Sequence, residues 1–109
     1  GVKEESSEAI RERVQAAREI QQKRFAGTDI TCNAMITPDI LHDVCPMTDE
    51  ASVMLKNVFE KMGLSARAYD RILKVARTVA DMEGEEVIGK SHIARAVQFR
   101  SLDRKYWSE

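Results

Sequence analysis

Apolar positions recur along this chain at three- and four-residue steps, the period of a helix face, and nowhere convincingly at the two-residue step of a strand. Ser6 and Ser7 precede Glu8-Ala9-Ile10, a helix start with an acid in the first turn. Ile10, Val14, Ala17 and then Ile20 or Gln21 lead on to Phe25, and Gly27 suits the position just past a helix end. This first helix is highly charged and apolar only along a narrow stripe, so it either packs on or bridges neighbouring domains or stands as a solvated outer helix. Residues 28–36 have no clear period and read as a loop. Thr37-Pro38-Asp39 opens a second helix, with Thr as cap and Pro at the first helical position, and Pro46 keeps it short. Thr48-Asp49-Glu50 begins a third, whose face is Met54, Leu55, Val58, Phe59 and Met62 and which Gly63 closes. A Met stripe can mark a binding groove, but at this spacing it is more often core.

Ser65 caps a fourth helix that Gly84 ends, with Tyr69, Ile72, Leu73, Ala76, Val79 and Ala80 as its apolar set. A Gly89-Lys90-Ser91 turn leads to a fifth, carrying Ile93, Ala94, Val97 and Phe99. From Ser101 to Glu109 the chain is polar apart from Tyr106 and Trp107 and is expected to fray. The predicted fold is all-α, a small bundle of four to five helices.

Composition agrees with this and removes several function classes. A chain of 109 residues makes one compact domain, and five Gly and two Pro are too few for a turn-rich β fold. No apolar run nears the length of a membrane span and no signal-peptide core is seen, so a soluble, cytoplasmic chain is expected. Cys32 and Cys45 match no disulfide, zinc or redox spacing; pairing them with His42 as metal ligands leaves a fourth ligand missing, and small buried thiols are the better reading. No G-x-G-x-x-G occurs, and His42 and His92 have no plausible nucleophile partner. The isolated domain is therefore not expected to be an enzyme.

A formal net charge of −1 argues against a free-standing nucleic-acid binder, yet it averages over local segregation. Residues 27–64 carry two basic against six acidic side chains, and residues 65–109 carry nine against seven. On the fourth helix Arg67, Arg71 and Lys74 fall within roughly 60° of one another, opposite the apolar set. A solvated face is the ordinary explanation of such a stripe. Arg67, however, lies in the first helical turn, where the helix dipole disfavours a cation by a few tenths of a kcal/mol to about one. That placement makes more chemical sense if an anion docks nearby and meets helix N–H groups and a forked guanidinium together.

The block from Ser65-Ala66-Arg67-Ala68-Tyr69-Asp70-Arg71 through Thr78-Val79-Ala80-Asp81-Met82-Glu83-Gly84 strongly resembles the C-terminal segment of Mg-chelatase-like AAA+ ATPases, in the bacterial competence-protein ComM (YifB) branch. Ile10-Arg11-Glu12-Arg13-Val14 with Ala17-Arg18 and Lys23-Arg24-Phe25 is similar to the family's entry helix. Asn33-Ala34, His92-Ile93-Ala94, Ala96 and Phe99-Arg100-Ser101-Leu102-Asp103-Arg104 fit as well. The resemblance places the lid in residues 6–104, with 1–5 as a flank whose Gly1 reads as a cloning remnant and 105–109 as a tail.

The resemblance implies the helical lid that follows an α/β nucleotide-binding core. Ser65-Ala66-Arg67 reproduces the context of the family's sensor-2 arginine, so Arg67 is expected to contact the γ-phosphate of ATP and couple hydrolysis to lid movement. Arg71 and Lys74 are secondary candidates for the same anion-facing surface. ATP, with Mg²⁺ held by the core, is the implied cofactor of the parent ATPase, and none is expected for the isolated domain. The core of the same polypeptide and neighbouring subunits of a hexameric ring are the implied partners. DNA handling in recombination or natural transformation carries over at family level only. The competing readings are a stand-alone helical DNA-binding module, disfavoured by the charge balance and the lack of interleaved aromatics, and a helical protein-interaction module.

Overall fold

A computed structural model of the chain describes residues 7–102, with side chains to residue 100. Five α-helices follow in order: α1 Ser7–Arg24, α2 Pro38–Val44, α3 Asp49–Met62, α4 Ala66–Met82 and α5 Lys90–Leu102, with a 3₁₀ turn at Asn33–Met35 between α1 and α2. Among the described residues no strand forms, and one isolated parallel bridge joins Met47 to Ile88. The architecture is the predicted all-α bundle. No described helix is long and apolar enough to cross a membrane. The expected boundaries at 5/6 and 104/105 and most of the expected fraying tail lie outside the described residues. α5 continues through Leu102, so Ser101 and Leu102 belong to the helix rather than to a tail.

Local chemistry sets the ends. Thr48 and Ser65 accept side-chain hydrogen bonds from Ala51 N–H and Ala68 N–H, each at 3.1 Å, which satisfies one orphan donor per helix. Thr37 occupies the cap position before Pro38 with extended backbone, but its side chain makes no cap bond, so proline alone carries that start. Gly84, at φ 71°, takes the left-handed turn after α4, and Glu85 N–H then reaches back to Ala80 C=O at 2.9 Å.

α4 is the axis of the bundle: it packs against α5, α1, α2 and the 3₁₀ turn, while α3 packs on α5. Its buried face holds Ala68, Ile72, Leu73, Ala76 and Ala80, and Ala96 is the fully buried small residue on α5. Such small side chains let helix backbones approach, and Leu41, Leu55, Ile36, Ile88 and Ile93 fill the remaining space. Of the two candidates on α1 it is Gln21 that is buried, with Ile20 half-buried. Tyr69 and Val79 are only partly buried, and Phe99 of α5 is 50% exposed. Phe59 and Met62 likewise lie at the surface end of α3.

The C-terminal half of α4 also buries charge, beside its apolar face. Arg77 and Asp81 are each 1% exposed. Asp81 accepts two bonds of 2.7 Å from the Arg24 guanidinium of α1 and one of 3.1 Å from Arg77 Nε. Arg77 also donates to Glu85 C=O at 2.6 Å and Glu86 C=O at 2.7 Å, holding the α4–α5 connection, and to Val44 C=O at 3.4 Å. Burial pulls Arg77 below the usual guanidinium range, and the Asp81 carboxylate opposes that shift. Outside the core, Glu83 takes Arg95 on one oxygen and the His92 ring at 2.9 Å on the other. Gly89 N–H donates to His92 Nδ1 at 2.8 Å, so a neutral ring carries its proton on Nε2 and gives it to Glu83.

Removing Asp81 would leave two guanidiniums without their carboxylate. Asp81→Ala is expected to cost about 3–5 kcal/mol in urea unfolding, whereas losing the cap in Ser65→Ala costs about 1 kcal/mol. Equal losses would contradict the hub role of Asp81. The hydrogen bonds from Arg95 and then His92 hold the Glu83 carboxyl below its ordinary 4.5. Its stabilising effect is therefore complete above that pH and fades as pH falls through the lower folded-state value. Glu83→Gln should lower the melting temperature at pH 7 and flatten its decline on acidification; a decline as steep as in the wild type would contradict this.

Candidate functional site

Arg67 stands in the first turn of α4, and no acidic residue shares that turn to offset it. Arg71 and Lys74 follow one and two turns later, and the structure brings all three to the same open groove of about 680 Å³. Asp70 and Val75 complete the α4 side, and Ala34 of the 3₁₀ turn and Pro38 at the start of α2 also line it. Arg67 is exposed, while Arg71 and Lys74 are half-buried. None of the three cations makes a side-chain hydrogen bond or ion pair with another described residue. Three positive charges thus share a cleft with a single carboxylate.

The chemistry follows from the donor set. Two guanidinium forks and one ammonium present only donors, and both group types match phosphate oxygens. The cations are spread over about 10 Å of helix, enough for several phosphate groups in a row. No aromatic side chain lines the groove, so it offers no stacking surface for a base. Asp70 was not singled out from sequence, although its spacing from Arg67 and Lys74 puts it on the same face. Ala34 and Pro38 reach the groove only through tertiary folding. The polar network of buried Asn33, Arg77 and Asp81 with half-buried Arg24 was also missed as a cluster; its one sequence signal is the Arg77/Asp81 pair at i,i+4 beside the apolar face.

The cysteines and His42 do not assemble. Cys45 lies in the core while Cys32 is half-buried near Thr31 and Gln21, and His42 is exposed with its ring 6.4 Å from that of Tyr69. Among the described residues no group of three or more His, Cys, Asp or Glu is placed to hold a metal ion. Burial pushes the Cys45 thiol up to about 11, so it stays protonated and unreactive near neutrality.

The sequence profile of the family described as magnesium chelatase, subunit ChlI C-terminal, matches residues 4–100. The chain belongs to that family. Competence protein ComM of Haemophilus influenzae is 40% identical over 104 residues, covering 95% of this chain and 20% of that protein. YifB of Escherichia coli is 38% identical over 100 residues, covering 92% of this chain and 19% of that protein. The chain therefore spans about a fifth of the length of these curated relatives. Family membership agrees with the resemblance read from the α4 block.

The contrast between the two thiols is testable. At pH 8 the folded chain should alkylate at Cys32 with iodoacetamide and leave Cys45 unmodified until denaturant is added, as read by peptide mass spectrometry. Modification of both at equal rates would contradict the burial of Cys45.

Proposed function

We propose that this domain is the helical lid of an AAA+ ATPase of the Mg-chelatase-like, ComM/YifB type, and that Arg67 senses the γ-phosphate of bound ATP. The observation that carries this reading is the convergence of Arg67, Arg71 and Lys74, all without protein partners among the described residues, on one groove. A cation in the first turn of a helix is locally unfavourable, and a phosphate in the groove reverses the sign of that interaction. ATP supplies the scissile phosphoanhydride and the Mg²⁺-bound charge, while the nucleotide core of the parent polypeptide supplies the P-loop and the metal ligands. What this chain adds is stabilisation of charge on the transferred phosphoryl group from Arg67. Arg71 and Lys74 extend the positive surface along the same helix. Since the groove has no base-stacking residue, this chain contributes phosphate contacts and the core holds the rest of the nucleotide.

On this reading the domain alone hydrolyses nothing, and its partners are the core of the same polypeptide and neighbouring subunits of a hexameric ring. The resemblance further implies a cytoplasmic motor acting on DNA in recombination or natural transformation, and one of the relatives carries competence in its name.

In the full-length ATPase, Arg67→Ala should lower kcat for ATP hydrolysis about 10²-fold while the domain stays folded by circular dichroism. Wild-type turnover in that variant would overturn the sensor role. If Arg67→Ala turns over normally while Arg71→Ala and Lys74→Ala abolish salt-sensitive DNA binding of the domain in fluorescence anisotropy, the groove is a nucleic-acid surface instead.

A further inference from the structure

The cations of the groove are half of a longer feature. Arg67, Arg71, Lys74, Thr78 and Asp81 form one polar stripe along α4, within about 80° of each other at the helical repeat. Its two halves end differently. The first three residues line the groove without protein partners among the described residues, whereas Thr78 and Asp81 are bonded to Asn33 of the 3₁₀ turn. Asn33 stands at the junction, and the residue after it, Ala34, is a wall of the groove.

Asn33 is 1% exposed and bonded on every side. Its Nδ2 donates to Asp81 Oδ2 at 2.8 Å and to Thr78 Oγ1 at 3.1 Å. Its Oδ1 accepts from Arg24 at 2.9 Å, and its backbone N–H donates to Gln21 Oε1 at 3.0 Å. Thr78 in turn donates to Lys74 C=O at 3.2 Å, on the cationic half of the stripe. The side-chain amide therefore ties the turn to α4 through Nδ2 and to α1 through Oδ1, and the backbone N–H adds a second tie to α1.

We propose that Asn33 is the positioning residue of the phosphate groove: it sets the distance between the 3₁₀ turn and α4, and makes the width of the groove depend on the seat of α1. This inference rests on the phosphate-binding reading of the groove. Asn33 touches no phosphate itself. The ion pairs of Asp81 with Arg24 and Arg77 do not pass through its amide, so the core keeps its charge pairing when Asn33 is truncated, while the turn loses its fixed seat. A displacement of α1 that pulls on Gln21 and Arg24 moves Ala34 relative to the cations by the same route. The groove is thus coupled to the first helix through Arg24 and Gln21.

The test uses this chain with inorganic tripolyphosphate as the probe, followed by NMR at the Ala34 methyl and the Arg67 Nε–H. In the wild type both signals shift on titration. Asn33→Ala should weaken tripolyphosphate about fivefold to tenfold and abolish the Ala34 response while the Arg67 response persists. A general loss of structure would remove both responses together. Thr78→Val, which keeps both ion pairs and removes one bond to Asn33, should weaken the probe about twofold to threefold. Wild-type affinity and an unchanged Ala34 response in both variants would overturn the positioning role and leave the phosphate reading standing. Absence of any response at Arg67, Arg71 and Lys74 in the wild type would overturn the phosphate reading and this inference with it.

Discussion

The constraint on which the rest of this domain depends is the carboxylate of Asp81, buried between two guanidiniums. A buried ion must be paired and hydrogen-bonded or it costs several kcal/mol, and here the partners come from different parts of the chain. Arg24 arrives from the end of α1, Arg77 from one turn earlier on α4, and Asn33 from the 3₁₀ turn. The surplus positive charge is absorbed by carbonyls, since Arg77 also serves Glu85 and Glu86 in the α4–α5 connection. One carboxylate therefore fixes α1, the loop after it and the start of the return to α5. A hydrophobic cluster alone would hold these elements together without specifying their register so narrowly.

That network occupies only one end of α4. The C-terminal half of its polar stripe is consumed by the network, and the N-terminal half, from Arg67 to Lys74, has no internal use for its charge. Phosphate recognition requires such a surface: rigidly mounted donors whose partners come from outside the domain. The rigid mount is the buried Asp81 end, and the free donors stand about two to four turns away along the same helix. The groove and the anchoring network share one helix, so under the proposed lid role they would move as one body.

Much of this was legible in the sequence. The helix starts at Thr48 and Ser65 and the stops at Gly63 and Gly84 could be read directly, since capping is local chemistry. The groove's cations were legible because helical spacing alone puts Arg67, Arg71 and Lys74 on one face. The other wall was not, because Ala34 and Pro38 approach through packing between segments far apart in the chain. The exposure of Phe99 was not legible either: a list of the apolar residues on α5 does not say which flank meets the core. The Asp81 network was hidden for a related reason. Arg77 and Asp81 look like an exposed i,i+4 pair until Arg24 and Asn33 are brought to them, and no local pattern announces a partner 57 residues away.

The central claim is that Arg67 closes on the terminal phosphate of a nucleotide bound by a neighbouring core. It is tested most directly by a crystal structure of the full-length protein with Mg²⁺ and a non-hydrolysable ATP analogue. The account predicts the Arg67 guanidinium at hydrogen-bond distance from a γ-phosphate oxygen, with Ala34 and Lys74 flanking the same cleft. An occupied nucleotide site in which Arg67 points to solvent and the groove faces away from the phosphates would contradict it.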